Sequence, residues 1–417
     1  MSSSFIENNA KGYDTRLIVY YILLVVTGWF AIYASAYDKS TATDILTMSK
    51  PYGRQLIWIG VSFIEILVLL LIDRKLIFNY AYYLYGICLL VMAGVLIFGA
   101  KISGAQAWIR IGSFTVQPVE FMKLATALAL AKFFTEGKTE QQRKNIWIYA
   151  SLFIGAAILL TLLQHDTGSA LVFFSFIILF YREGLSGKLF IITVIAVFIF
   201  IFTLLFNEVY TIGVLLTVFL FFWYWHRKDK KKLLRNLYIL IASVVFVFVV
   251  NMLYNNVFQA HQKQRIDSIL DKSSDPKGAD FNLNQSLIAI GSGGFTGKGF
   301  KRSTQTQLNF VPEQSTDFIF CGIAETFGFF GCMLLFTLFS LLFTRIIKLS
   351  EKQRNPFVRY YGYGIAGIFF FHFAINIGMT IGILPIIGIP LPFISYGGTS
   401  ILSFTAMLFI FIKLSNN

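Results

Sequence analysis

Runs of about 20 apolar residues, the length that crosses a hydrocarbon core of roughly 30 Å, recur along nearly the whole chain and decide what it can fold into. We place twelve, near 17–36, 53–72, 76–98, 119–135, 145–164, 168–182, 188–207, 209–226, 235–255, 317–344, 357–384 and 398–415. Only 13% of the 417 residues are charged and 56% are hydrophobic, whereas a soluble domain is charged at about a quarter of its positions. Backbone polar groups in lipid must be satisfied within the segment, so the runs predict helices and the chain an all-α polytopic integral membrane protein. One polar interval stands out. Residues 256–316 read as a large extracellular loop between about nine spans (17–255) and about three (317–417), with 1–16 a cytoplasmic tail. That tail, "MSSSFIENNAKGYDTR", has no basic region followed by a short apolar core, so the first span is expected to stay as an anchor.

Charge distribution orients the spans. The intervals assigned inside carry Arg74 and Lys75, Lys138, Arg143 and Lys144, Arg182 and Lys188, the run Arg227–Arg235, and Arg345 to Arg359. The intervals assigned outside hold Lys39, Lys50, Arg54, Lys101 and Arg110. Such an asymmetry predicts both termini inside, an even number of spans and 256–316 outside. The formal charge of +14 therefore reads as anchoring to an anionic inner leaflet, and "HRKDKKKLLR" as a topology signal rather than a nucleic-acid patch. Cys88, Cys321 and Cys332 all fall in apolar runs, as small packing residues rather than a disulfide framework.

Acidic groups in or at the edge of spans are costly, which makes Glu65, Glu120, Asp166, Asp317 and Glu325 informative. Glu65 has no polar neighbour and reads as structural. In "QPVEFMK", Pro118 starts a helix on which Glu120 and Lys123, three apart, share a face. Asp166 sits in an outer turn, "QHDTGSA", beside a solvated His165. The four histidines, at 165, 226, 261 and 372, have no metal-ligand spacing, so no dedicated metal site is expected. "GILPIIGIPLPFISYGGTS" carries three prolines between 385 and 392 and reads either as a tight outer turn or, as we favour, as a broken segment at a cavity wall, tolerated at membrane depth only where protein or a watery cavity receives it. Within 256–316, a glycine run lies beside Lys298, Lys301 and Arg302; it does not fit a Walker loop, and reads either as a linker or as backbone able to approach a phosphate. Glu313 and Asp317, four apart in "NFVPEQSTDFIF", stand where this interval meets a span.

These motifs, in order, resemble the RodA/FtsW/SpoVE (SEDS) family of peptidoglycan glycosyltransferases. They are "RQLIW", "GAQAWI" with "QPVEFMK", "QHDTGSA", "SDPKGADFNLNQSLIAIGSGGFTGKGF", "TQTQLNFVPEQSTDFIF" and "NIGMTIGILPIIGIPLPFISYGGTS". "TQTQL" is closer to the RodA branch. Departures are Ala107 for a common Arg, His165 for a Pro, Asp280 for a Gly and Thr326 for a Glu. Members usually have ten spans, so the resemblance implies an extra pair between 188 and 255.

The resemblance implies polymerisation of lipid II, an undecaprenyl-pyrophosphate-linked disaccharide peptide, at the outer face of a bacterial cytoplasmic membrane, for cell elongation and shape. An α-linked donor giving a β-linked glycan requires one inversion and one general base, for which Asp317 is the candidate. Glu313 is expected to orient the loop or a substrate hydroxyl. Arg54, Arg110, Lys123, Lys298 and Arg302 are candidate cations for the leaving pyrophosphate, with Lys298 and Arg54 favoured by the family motifs. Glu120, Asp166, Gln307 and Ser395 complete the supporting set. A divalent cation at the pyrophosphate is compatible with this chemistry, and no other cofactor is implied. The expected partner is a class B penicillin-binding protein transpeptidase, alongside membrane lipids. Two competing readings are a flippase for lipid-linked precursors, disfavoured because no pair of broken helices repeats in the two halves, and a non-catalytic scaffold, which leaves the Asp317 cluster unexplained.

Overall fold

The computed structural model describes residues 12–36, 47–102, 104–112, 114–136, 145–252, 255, 279–300, 302–303, 305–306, 310 and 313–416. Among them, nine helices are long and apolar enough to cross a membrane. Two further windows are helical by a different logic. Pro118–Thr135 carries Glu120, Lys123 and Lys132 and is nonetheless buried along almost its whole length. Thr167–Arg182 is short and passes through a 3₁₀ turn at Phe173–Phe176.

One correction concerns the paired windows 188–207 and 209–226, which form one unbroken helix, Gly187–His226. The intervening Asn207 and Glu208 are polar but break no helix, and neither proline nor a turn motif separates the windows. At 1.5 Å per residue the fused helix is about 60 Å long. A second departure is a three-stranded antiparallel sheet, β1 Ala100–Ile102, β2 Ala105–Ile111 and β3 Phe114–Val116, in a chain read as all-helical. It arises because "AQAWIRI" alternates in character and Gly104 and Gly112 supply the left-handed backbone its turns require.

The chain divides into two compact units, one of residues 1–182 with 282–417 and the other of residues 183–281. In the smaller, Gly187–His226 and Lys230–Met252 pack as a hairpin. Asp229 closes the turn by accepting from the N–H groups of Lys231 and Lys232 at 3.1 and 3.2 Å, and these bonds, that of Lys232 foremost, hold its carboxyl below the usual range.

The larger unit is organised around α4 (Pro118–Thr135), α12 (Pro356–Thr380) and α13 (Gly398–Ser415), the most buried of its helices. The small side chains of "LATALALA" in α4 let α3 (Arg74–Phe98) and α12 approach closely, as membrane packing favours. The two ends of this bundle differ in chemistry. At one, Asp14 ahead of α1 (Thr15–Ala36) accepts from Arg345 Nε at 3.0 Å, Arg182 pairs with Glu351, and Tyr82 donates to Glu136 at 2.9 Å. Burial pushes the Asp14 carboxyl up, but Arg345 and the Leu17 N–H outweigh it and hold the group below its ordinary range. Here stand Arg74, Lys75, Arg182, Arg345 and Lys352, all assigned to the inside from charge. At the other end lie the sheet, the Asp166 turn, residues 294–300, 302–303 and 305–306, the turn 313–318 and the proline-rich segment 381–397. Gln314 reaches Ser35 O, at the far end of α1, at 3.3 Å.

Cys88 and Cys321 are buried and Cys332 half-buried, all free thiols. The described part of the interval 256–316 begins with a helix, Ala279–Gly293, and then folds onto α11 (Ile319–Lys352).

Candidate active site at the proline-rich face

Asp317 lies in the turn that delivers the chain into α11, and is half-buried. Main-chain and side-chain bonds fasten this turn to the proline-rich segment. Ser395 Oγ donates to Thr316 O at 2.6 Å and accepts from Leu391 N at 2.8 Å, while Tyr396 N donates to Ser315 O at 2.8 Å. Asn376 Nδ2, on α12, donates both to Asp317 O at 2.9 Å and to Ile389 O at 2.7 Å. The segment is irregular throughout and much of it is buried, with Ile389, Leu391, Phe393 and Ile394 all at 2% exposure or less. This is the broken segment expected from its prolines, enclosed by protein. Glu313 adopts a left-handed backbone (φ 49°), and its carboxylate and carbonyl both accept from Thr316 Oγ1 at 3.1 Å, so it shapes the turn that presents Asp317.

Glu120 and Lys123 pair at 2.8 Å in the bundle interior, where Lys123 is fully buried. The shared helix face expected from their spacing is realised. Lys123 Nζ also meets His372 Nε2 at 2.8 Å, and His372 Nδ1 meets Pro390 O at 3.0 Å. Ser403 Oγ donates to the second Glu120 oxygen at 3.4 Å. A polar chain thus runs from α13 through α4 and α12 into the segment beside Asp317. Asp166 caps the helix Thr167–Val172 by accepting from Ser169 N at 2.9 Å and takes a bond from Gln117 Nε2 at 2.7 Å. It supports the start of α4 from outside.

The candidate cations separate into two groups. Arg54, at the start of α2 (Pro51–Leu71), is exposed with its guanidinium 5.6 Å from the Tyr396 ring centre, and its neighbour Gln55 accepts from Gly397 N at 3.3 Å. Arg54 therefore stands at the proline-rich face. Arg110 and Arg302 are exposed. Lys123 belongs to the buried chain above, and Lys298 pairs with Glu325 at 2.8 Å. Glu325, fully buried on α11, also accepts from Gln305 N at 2.9 Å, Thr306 N at 3.0 Å and Thr306 Oγ1 at 2.9 Å. Lys298, Gln305 and Thr306 are thereby anchored to α11. The glycine run has the same purpose: a Cβ on Gly293 would stand 2.0 Å from Ala324 O, and Gly297 (φ +79°) lies as tightly against Thr326 O. Gln307 lies outside the described residues.

Sequence reasoning missed His372 and Asn376. A lone histidine in an apolar run carries no signal, but the i, i+4 pair "HFAIN" on one face of a buried helix, just ahead of a proline-rich break, is the feature that would have revealed them. Among the described residues no three His, Cys, Asp or Glu side chains are gathered to hold a metal ion.

Fold and site together define a multi-pass helical membrane protein whose buried polar network braces a half-buried carboxylate at one face. The FtsW/RodA/SpoVE profile, described as cell cycle protein, matches residues 14–230 and 233–417, and the chain belongs to this family. Peptidoglycan glycosyltransferase MrdB of Escherichia coli (strain K12) is 32% identical over 382 residues, covering 91% of this chain and 89% of MrdB. Peptidoglycan glycosyltransferase RodA of Treponema pallidum is 28% identical, covering 97% of each chain. Among solved structures, a chain of a peptidoglycan synthase complex, described for its coordination of polymerization and crosslinking, superposes with a TM-score of 0.67 at 27% identity over 97% of this chain and 98% of that one. Rod shape determining protein RodA of Thermus thermophilus shares the fold, with a TM-score of 0.61 at 24% identity over 97% of each chain.

Proposed function

We propose that this chain is a peptidoglycan glycosyltransferase that polymerises lipid II, with Asp317 as the general base of a single inverting displacement. The acceptor sugar hydroxyl oxygen forms the new bond to the donor anomeric carbon, the bond from that carbon to the pyrophosphate breaks, and Asp317 takes the hydroxyl proton. Undecaprenyl pyrophosphate leaves with the bonding electron pair, and exposed Arg54 beside Tyr396 is the cation placed to meet it. A divalent cation carried by the pyrophosphate would add to that neutralisation. The observation that carries the reading is the fixing of the turn that bears half-buried Asp317, whose main-chain carbonyls at 315, 316 and 317 accept from Tyr396, Ser395 and Asn376, on the face opposite the basic helix ends. A base held in place by its surroundings needs no reorganisation as the reaction proceeds.

The separation of basic ends from the Asp317 face supports a bacterial cytoplasmic membrane location with both termini inside and the site at the outer leaflet, where lipid-borne sugars lie. A class B penicillin-binding protein is the proposed partner, in keeping with the synthase complex to which the chain is similar.

The test uses detergent micelles, which have no leaflets and so give a flippase nothing to do. Purified protein with lipid II and a moenomycin-type inhibitor, which silences polymerases of the other class, is expected to release undecaprenyl pyrophosphate and lengthen glycan. Asp317→Asn should slow this by about 10² to 10⁴. Near-wild-type polymerisation by Asp317→Asn would remove the base assignment. Silence in micelles with the transpeptidase present, together with Asp317-dependent leaflet transfer in liposomes, would make the chain a transporter.

A further inference from the structure

We propose that His372 and Asn376 are positioning residues for Asp317, two pins on one face of α12 that set where the base stands. The inference rests on Asp317 being that base. A segment with prolines at 385, 390 and 392 cannot organise itself through helical hydrogen bonds, so its carbonyls are placed by whatever donors meet them. Two consecutive carbonyls are met from α12: Ile389 O by Asn376 Nδ2 at 2.7 Å and Pro390 O by His372 Nδ1 at 3.0 Å. Residues four apart on a helix share one face, so both side chains can reach the segment from the same side. The same Asn376 nitrogen holds Asp317 O at 2.9 Å, and Gly388, next to Ile389, abuts the Asp317 carboxylate. Asn376 is fully buried and His372 is 1% exposed, so both bonds are made away from solvent.

The histidine contributes more than bulk. A carbonyl only accepts, so Nδ1 carries the hydrogen that reaches Pro390 O, and Nε2 presents its lone pair to the Lys123 ammonium at 2.8 Å. Lys123 therefore fixes the neutral tautomer and the ring orientation, and Glu120, with Ser403 behind it, fixes Lys123. With the hydrogen on the other nitrogen, two acceptors would face each other at Pro390. This gives the Glu120–Lys123 pair a purpose: it sets the direction of a hydrogen bond that reaches the segment under the base.

The experiment measures kcat and KM for lipid II polymerisation by the full chain in micelles, with monodispersity and thermal melting recorded for every variant. His372→Ala and Asn376→Ala are expected to lower kcat by about 10- to 100-fold, the effect of misplacing a reacting group by about 1 Å, with KM little changed. His372→Gln, which offers a donor to Pro390 and an acceptor to Lys123, should restore most of the lost turnover. Asn376→Asp, which cannot donate to two carbonyls, should not. Wild-type kcat in folded His372→Ala, a raised KM with kcat kept, or a folded His372→Gln no better than His372→Ala overturns the proposal. If neither alanine variant folds, His372→Gln decides alone: retained turnover supports the pins, and lost turnover in folded protein refutes them. Polymerisation that survives Asp317→Asn removes the base assignment itself, whereas an inactive Asp317→Asn beside unaffected His372 and Asn376 variants removes only the pins.

Discussion

A Cβ placed on Gly388 would stand 3.2 Å from the Asp317 Oδ2 atom, closer than most real Cβ contacts, so the missing side chain of one residue makes room for the carboxylate of the other. Gly388 also holds a left-handed backbone, φ +76°, which only glycine adopts without strain. Gly388→Ala should therefore move Asp317 or the segment beneath it, with a backbone cost of about 1–2 kcal/mol. The expected outcome is a loss of turnover approaching that of Asp317→Asn in protein that still binds lipid II, measured by polymerisation and by substrate titration.

Lys298 and Glu325 test a division of labour between anchoring and chemistry. Glu325→Ala leaves Lys298, two backbone N–H groups and the Thr306 hydroxyl without their shared acceptor. A hydrogen bond to a charged group is worth about 1.5–3 kcal/mol, and Glu325→Ala loses several at once. Lys298→Met should cost less, because Glu325 keeps its bonds to Gln305 and Thr306. Thermal melts in detergent should rank wild type above Lys298→Met above Glu325→Ala, with activity falling in step. A Lys298→Met variant with an unchanged melt and lost activity would instead assign Lys298 to the pyrophosphate.

Glu120 and Glu65 are both carboxylates within membrane helices, and the structure separates them. Glu120 is tied to Lys123 and Ser403, whereas Glu65 Oε2 is buried with no partner among the described residues. Glu120→Ala should reduce polymerisation at least tenfold, a breach of the chain that ends at Pro390, and Glu65→Ala far less. Equal losses in two folded variants would show that the Glu120 chain has no special link to the site.

Orientation is open to cysteine labelling after Cys88, Cys321 and Cys332 are replaced. Ser292→Cys, near the end of Ala279–Gly293, should react with a membrane-impermeant reagent in intact cells. Lys348→Cys, at the basic end of α11, should react only after the membrane is opened. The reverse pattern would place the site at the inner leaflet and remove the proposed reaction with it.

The spans, the orientation signal and the acidic candidates were all legible in the amino-acid order, because hydropathy, charge and proline act locally and leave periodic or positional marks. Apolar length specified the helices, "QPVEFMK" specified a proline-started helix with Glu120 and Lys123 on one face, and the prolines at 385, 390 and 392 specified a break. Local marks also explain one misplaced boundary and one small feature that went unread. Windows 188–207 and 209–226 differ in polarity at Asn207 and Glu208, yet helix continuity depends on backbone breakers that are absent there. The short sheet at 100–116 is too small to register against long helical runs.

The order of residues alone establishes a chain of membrane helices with acidic groups at one polar interval. Which charges are spent on each other and which face the site is set by how the helices pack. Lys123 and Lys298 look as available as Arg54 in one dimension, but packing of α4 against α12 buries Lys123 between Glu120 and His372, and the fold of 294–299 onto α11 gives Lys298 to Glu325. His372 meets Pro390 across 18 residues, and Asn376 meets Ile389 across 13 and Asp317 across 59. Such contacts depend on how helices rotate about their axes when small side chains let them close, and that rotation is a property of the packed bundle that no single segment encodes.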